Sequence, residues 1–510
     1  MTVAPKVSEA EARFQRRRAR VGLVAAPALA ALTALADLSL PSPEAHRLAA
    51  VAVFVVVAWV TEALPLPVTA VAAPALAALA GVAPARQAFA AMAHPLIFLF
   101  LGGFVLAEAL AAQGVDRRVA LFIVSRRFVA DRPARAVVAL AALAFAASMW
   151  ISNTATTAVM LPVLGGFAAT VTRALPDDDA LARRNRTFLS AAAITVAYAA
   201  SLGGMATPVG TGPNLVALGI LRDELGVYVD FLQWMAFALP VALALFAAQL
   251  LFVLRRAPPP VAKVAGLRAA VARELAQLGP MRPAERRAVA IFGLAVAGWL
   301  APAAARVVLG PAHPVTLAAR AHLDEGVVAV LAALCLFFVP AGGDREGPLL
   351  TWDRAARIDW GTLLLLGGGL CLGDLAMKTG LARAVGEAAI AAAGPAASVP
   401  AGLLVAAVVL VVYLTEVTSN TATTAMMLPV VLGIAVTAHL PAVPTVLAVT
   451  LAASCAFMLP VATPPNAMVY GSGLVSFPQM LRFGFVLDLV AVAVLAAAGA
   501  TLLPAVAAGL

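Results

Sequence analysis

Ser152-Asn153-Thr154-Ala155-Thr156-Thr157-Ala158 recurs unchanged as Ser419-Asn420-Thr421-Ala422-Thr423-Thr424-Ala425, 267 positions further along the chain. Met160-Leu161-Pro162-Val163 recurs as Met427-Leu428-Pro429-Val430 at the same spacing. Upstream, Gly102-Gly103, Glu108 and Gly114 match Gly368-Gly369, Asp374 and Gly380 at a spacing of 266. Downstream, Gly210-Thr211-Gly212-Pro213-Asn214 matches Ala462-Thr463-Pro464-Pro465-Asn466. One short identity between apolar stretches can arise by chance, but four matched blocks in one order mark an internal repeat.

Outward from these blocks the chain is apolar from end to end. Of its 510 residues 63% are hydrophobic and 12% charged, with a mean hydropathy of +0.97. Soluble chains average about half apolar and about a quarter charged. Runs such as Val21–Leu40, Phe231–Leu254 and Phe483–Ala508 have the length and character of membrane-crossing helices. This excludes a soluble enzyme, a disordered scaffold and a secreted disulfide protein. The expected fold is an all-α polytopic membrane protein with about eleven transmembrane helices and two re-entrant hairpins. Crossings are expected near 21–40, 47–63, 65–82, 95–112, 188–222, 231–254, 288–309, 326–340, 360–377, 444–476 and 483–508, the fifth and tenth of them broken. The basic amphipathic stretch from Gly114 to Arg132 is expected to lie at the membrane interface.

The net charge of +9 needs no nucleic acid to explain it, because basic residues collect in the cytoplasmic loops of membrane proteins. Lys6, Arg13, Arg16, Arg17, Arg18 and Arg20 place the N-terminus inside, and the basic segment from Arg255 to Arg287 reads as cytoplasmic. The crossing scheme leaves only Arg47, Arg86, Arg222, Arg306, Arg320, Lys378 and Arg383 outside, out of 35 Lys and Arg. Five crossings separate the two polar clusters, so the second copy lies upside down relative to the first. Inverted repeats of this kind are a common construction of secondary transporters.

Each Ser-Asn-Thr interrupts the middle of a long apolar segment, 136–170 or 399–436. Polar groups in hydrocarbon must be satisfied internally or face a cavity, so each is read as the tip of a hairpin of two short helices. The Gly/Pro blocks at 210–214 and 462–466 break spans five and ten and free backbone groups. Unwound carbonyls suit a small cation, and half-helix N-termini suit an anion. No Lys, Arg or His lies near the expected tips, so a dianion bound there would need co-ions to offset its charge. Glu416 is the one acid expected beside a tip, as a structural partner of the hairpin or a proton sensor. Cys335, Cys371 and Cys455 read as small core residues, and the five histidines are scattered. There is no HExxH, G-x-S-x-G or P-loop, so nothing suggests an enzyme.

At these residues the sequence resembles the divalent anion:sodium symporter family, which carries dicarboxylates, citrate or sulfate. The resemblance rests on both Ser-Asn-Thr signatures, on the stretch from Ala453 to Val469, and on Thr61-Glu62-Ala63-Leu64-Pro65-Leu66-Pro67. It implies a homodimer, in the inner (plasma) membrane, whose protomers each hold a scaffold and a transport domain that moves as an elevator. It also implies Na+ as coupling ion, no organic cofactor and a small dianionic substrate. By position, one sodium site would use Ser148, Ser152, Asn153 and the Gly210 carbonyl. The other would use Thr415, Asn420 and the carbonyls of Thr418 and Ala462. Substrate would meet Asn153, Thr154, Asn420 and Thr421, with Thr463 and Pro464 close by. Region by region, 1–20 is a basic cytoplasmic N-terminus, 21–132 and 288–396 are scaffold, 133–254 and 397–510 are transport domain, and 255–287 is a cytoplasmic linker. One departure is Gly212, where the family often has proline, which is expected to loosen the backbone beside the site.

The expected function is therefore sodium-coupled uptake of a succinate-like di- or tricarboxylate. Sulfate symport and sodium-independent dicarboxylate exchange are the alternatives within transport, and an anion channel is the alternative outside it.

Overall fold

A computed structural model describes residues 9–126, 129, 131–343, 345–393 and 400–507. Lys6, Arg127, Val399 and Ala508 lie outside these residues. The chain is mostly helical. It opens with α1 (Glu9–Leu35), α2 (Pro43–Thr61) and α3 (Leu66–Leu79). Ser42 caps α2 by accepting from the Ala45 N–H, and Glu62 ends it in the left-handed region at φ 48°. A short α4 (Ala85–Ala88) leads to α5 (Pro95–Gln113), and α6 (Val115–Val124) follows as the expected amphipathic helix. Next come α7 (Pro133–Ser148) and α8 (Asn153–Arg173), which pack together as the first hairpin. The broken span is α9 (Asp179–Met205) and α10 (Gly212–Asp223), followed by α11 (Phe231–Arg256) and α12 (Leu267–Gln277) of the linker.

The second half runs through α13 (Pro283–Leu309), α14 (Pro314–His322) and α15 (Glu325–Phe338). A two-stranded antiparallel pair, β1 (Pro340–Gly342) and β2 (Arg345–Pro348), precedes α16 (Trp352–Ala355), α17 (Trp360–Thr379) and α18 (Leu381–Ala393). The second hairpin is α19 (Pro400–Thr415) and α20 (Asn420–Thr437), and the second broken span is α21 (Ala442–Ala453) and α22 (Pro464–Gly471). The described chain ends with α23 (Phe477–Ala500) and α24 (Leu502–Ala507).

Among the described residues, ten helices are long and apolar enough to cross a membrane, or eleven if α14 and α15, bent by 65° at their junction, count as one span. This is a multi-pass membrane protein. The set differs from the expected one in its members. The hairpin arms α8 and α20 have spanning length at 21 and 18 residues, whereas α3 and α21, with 14 and 12, fall short. Hydropathy weighs composition over a length and cannot tell a hairpin arm from a crossing. Among the elements that were not anticipated are the β pair and α18, which follows Gly380 as α6 follows Gly114. The first helix also begins at Glu9, so the arginine cluster is helical. Cys371 and Cys455 are buried as expected, but Cys335 faces outward.

The centre of the molecule is α9, buried along its whole apolar window. Its Ala, Ser and Gly residues let α7, α8, α11 and α22 pack against it closely. Polar ties hold the two ends of the molecule. His94–Asp223 (3.2 Å), Arg222–Asp324 (3.7 Å) and Arg306–Asp230 (2.9 Å) join the α10–α11 connection to α5, α13 and α15. Glu285 receives Arg118 at 2.6 Å and Arg282 at 2.7 Å, which fastens the basic linker to α6.

Candidate functional site

Both Ser-Asn-Thr tips and both span breaks open on one cavity of about 650 Å³. On one side lie Ser152–Thr154, Ser419–Thr421, 210–212 and 461–465. Facing them are the α2–α3 connection 62–67, Phe100 and Phe104 of α5, and the start of α17 from Asp359 to Leu365. The sequence pairs the blocks along the chain, and folding brings all four together.

Four helices begin at this cavity: α8 at Asn153, α20 at Asn420, α10 at Gly212 and α22 at Pro464. Each N-terminus carries about half a positive charge on its free N–H groups. Among the described residues no Lys, Arg or His lines the cavity, whose walls carry the acids Glu62 and Asp359. Asp359 is occupied in capping α17, accepting from the Thr362 N–H at 3.1 Å and from its hydroxyl at 2.5 Å.

The two tips share a construction. Ser148 Oγ donates to Asn153 Oδ1 at 2.6 Å, and Thr415 Oγ1 donates to Asn420 Oδ1 at 2.8 Å. These two pairs stand at the repeat spacing, so the same contact is made at both tips. A Cβ on Gly204 would overlap Asn153 Oδ1, and one on Gly210 would overlap the Gly204 carbonyl. Ser148, Asn153 and Gly210 are thus stacked at the first tip, while the Ser152 hydroxyl caps α8 by accepting from the Ala155 N–H at 3.2 Å. At the second tip the Thr418 hydroxyl donates to the Leu414 carbonyl at 2.9 Å and meets Thr423. Ala462 and Asn420 both line the cavity beside it. Hydroxyl, amide and carbonyl oxygens are the donors a hard cation takes.

Thr463 caps α22 by accepting from the Asn466 N–H at 3.3 Å, and Pro464 is exposed to the cavity. Thr154 is likewise exposed, but Thr421 is buried. Its cover is Gly212, where a Cβ would overlap Thr421 Oγ1 and come within 3.0 Å of Cγ2. Gly212 is buried in the first turn of α10, and its missing side chain serves close packing against Thr421.

Four residues gain roles that the pattern of motifs did not supply. Asn214 donates to the Gly204 and Thr207 carbonyls at 2.9 and 2.7 Å, and Asn466 to Ala456 and Leu459 at 3.1 and 3.0 Å. These matched asparagines staple the unwound backbone of each break. Glu416 accepts from the Phe457, Met458 and Leu459 N–H groups, the latter two at 2.8 and 2.9 Å. It is not the only buried acid there, since Asp488 of α23, also fully buried, faces it. Arg18 of α1 reaches the second tip, donating from Nη1 to the Val417 carbonyl at 3.2 Å.

A family model described as the sodium:sulfate symporter transmembrane region matches residues 18–507. An uncharacterized transporter of Haemophilus influenzae is 32% identical over 460 residues, covering 90% of this chain and 92% of that protein. A sodium-dependent dicarboxylate transporter, SdcS, of Staphylococcus saprophyticus is 29% identical over 480 residues, covering 93% and 89%. Among solved structures, the YdaH transporter of Alcanivorax borkumensis, whose topology is described as unusual, is similar in fold, with a TM-score of 0.51. That match has 14% identity and covers 80% of this chain and 84% of the other. With its repeated tips, broken spans and match along almost its whole length, the chain belongs to the divalent anion:sodium symporter family of membrane transporters.

Proposed function

We propose that this protein takes up small di- or tricarboxylates, succinate-like in chemistry, together with sodium. The observation that carries the reading is the convergence of four helix N-termini on one side of a cavity, where hydroxyl, amide and carbonyl oxygens line it, while the acids Glu62 and Asp359 lie on the facing wall. Together they present about two positive charges, matched to a dianion without a fixed side-chain cation. Sodium would sit behind the tips: one ion on Ser148, Ser152, Asn153 and the Gly210 carbonyl, the other on Thr415, Asn420 and the carbonyls of Thr418 and Ala462. The carboxylates would meet Asn153, Thr154, Asn420, Thr421 and Thr463, with Pro464 at the edge. The name of the Staphylococcus relative, a sodium-dependent dicarboxylate transporter, supports both sodium and dicarboxylate.

The cavity lies where the expected transport regions, 133–254 and 397–510, face the expected scaffold, 21–132 and 288–396. That position supports an elevator movement of one against the other, in a homodimer of the plasma membrane with a cytoplasmic N-terminus. The odd number of expected crossings between the tips supports an inverted repeat. In the expected topology 62–67 and the start of α17 lie on the cytoplasmic side, so the cavity as seen would open inward.

The test is labelled succinate uptake into proteoliposomes with an inward sodium gradient, compared with potassium. Sodium-dependent uptake inhibited by malate is the expected result. Uptake independent of sodium but requiring internal dicarboxylate would make the protein an exchanger. Sulfate uptake without succinate uptake would reassign the substrate.

A further inference from the structure

Arg18 stands apart from the other N-terminal arginines. Arg13, Arg16, Arg17 and Arg20 are exposed, as charge bias at a membrane surface requires. The Arg18 side chain is only 17% exposed, and its two terminal nitrogens are both engaged. Nη2 pairs with Glu62 Oε1 at 2.6 Å, and Nη1 donates to the Val417 carbonyl at 3.2 Å. Val417 lies between Thr415 and Thr418, two of the proposed ligands of the second sodium ion. Glu62 lines the cavity and holds a left-handed backbone, uncommon for a side chain of its kind. The guanidinium therefore sits beside the second sodium site with one carboxylate against it. A lone guanidinium there would repel a bound cation and compete for the carbonyls of the tip.

We propose that Glu62 and Arg18 are positioning residues that tune the second sodium site: Arg18 holds the tip through Val417, and Glu62 cancels its charge so that sodium can bind. This inference rests on the sodium reading above. It assigns a role to the Glu62 of the α2–α3 connection, which the transport chemistry otherwise leaves unused. Unit charges several Å apart at the effective dielectric of a partly buried site interact strongly enough to change ion affinity about tenfold.

The experiment is sodium titration of the purified, detergent-solubilised protein, read as sodium-induced thermal stabilisation, with potassium as control and sodium-dependent uptake as a second readout. Glu62→Gln should raise the half-saturating sodium concentration about tenfold. Arg18→Gln should leave it unchanged or lower it, and the double variant should return it close to the wild-type value. Maximal uptake at saturating sodium should fall less in Glu62→Gln than its sodium affinity does. An unchanged half-saturation in Glu62→Gln would overturn the inference. So would weakening of similar size in Arg18→Gln, since the pair would then act only as a mechanical tie. If the wild-type protein showed no sodium-specific stabilisation and no sodium-dependent uptake, the sodium reading itself would fall and take this inference with it.

Discussion

Met149 follows the first arm of one hairpin where Glu416 follows the first arm of the other, and the two tips are held differently as a result. At the first tip the support is neutral. Thr207 donates its hydroxyl to the Met149 carbonyl, Ser152 caps α8, and Thr154 is left open to the cavity. At the second tip the support comes from acidic and basic side chains. Glu416 gathers three successive N–H groups of the α21–α22 break, and Arg18 takes the Val417 carbonyl. There Gly212 covers Thr421, and Ser419 makes no side-chain cap. Seven identical residues thus form one open tip and one pinned tip. The difference shows that a repeated motif specifies a local turn and its oxygen donors, while the elements around it decide how firmly the turn is held and which hydroxyl faces the cavity.

The comparison breaks most sharply if the asparagines are unequal. Asn153→Ala and Asn420→Ala should each reduce succinate uptake about a hundredfold, because each removes an amide that both orders its tip and would meet charged ligands. Uptake at near wild-type level in either variant, with normal amounts of protein in the membrane, would remove that tip from the site. Glu416→Gln should lower thermal stability by about 2–3 kcal/mol, the scale of charge-assisted hydrogen bonds weakened in a buried place. Its counterpart Met149→Leu should cost less than about 1.5 kcal/mol. Equal losses would mean that the charge does not distinguish the tips.

A finer test lies at the broken spans. Gly212→Ala should weaken apparent succinate affinity about tenfold, because the added methyl group overlaps Thr421 and must push the tip or α10 aside. The matching change Pro464→Ala, at an exposed position, should leave affinity nearly unchanged. If both changes act alike, the covering of Thr421 is irrelevant to the substrate. The smallest effect belongs away from the tips. Burial, and then the charges of Asp374 and Asp223, hold the Glu224 carboxyl at about 7. Its contribution to stability is full below about 4.5 and is lost as pH rises through about 7. Glu224→Gln should flatten that part of the stability profile by less than about 1 kcal/mol, since the group is half exposed and screened by solvent. A larger change, or a shifted pH dependence of sodium affinity, would tie this region to the tips.

Much of this was legible before folding. The repeat located both tips and both breaks, and the 267-residue spacing paired Ser148 with Thr415; in the structure each of these hydroxyls meets the asparagine of its own tip. The gaps were of two kinds. Hydropathy counts apolar length, so it did not foresee that the helices at α3 and α21 would be only 14 and 12 residues long. Asn214 and Asn466 stood inside quoted motifs, but a sequence does not show which carbonyls an amide will reach.

The sequence by itself determined a membrane-embedded helical chain, its interruptions and its duplication, because apolar length, glycine, proline and local capping act over a few neighbouring residues. Only the tertiary structure decided that Arg18 meets Val417 across 399 positions, that Glu416 ties itself to 457–459, and that Gly212 seats against Thr421. Those contacts join elements far apart in the chain, and their partners are chosen by how whole helices pack around α9, which no local pattern encodes.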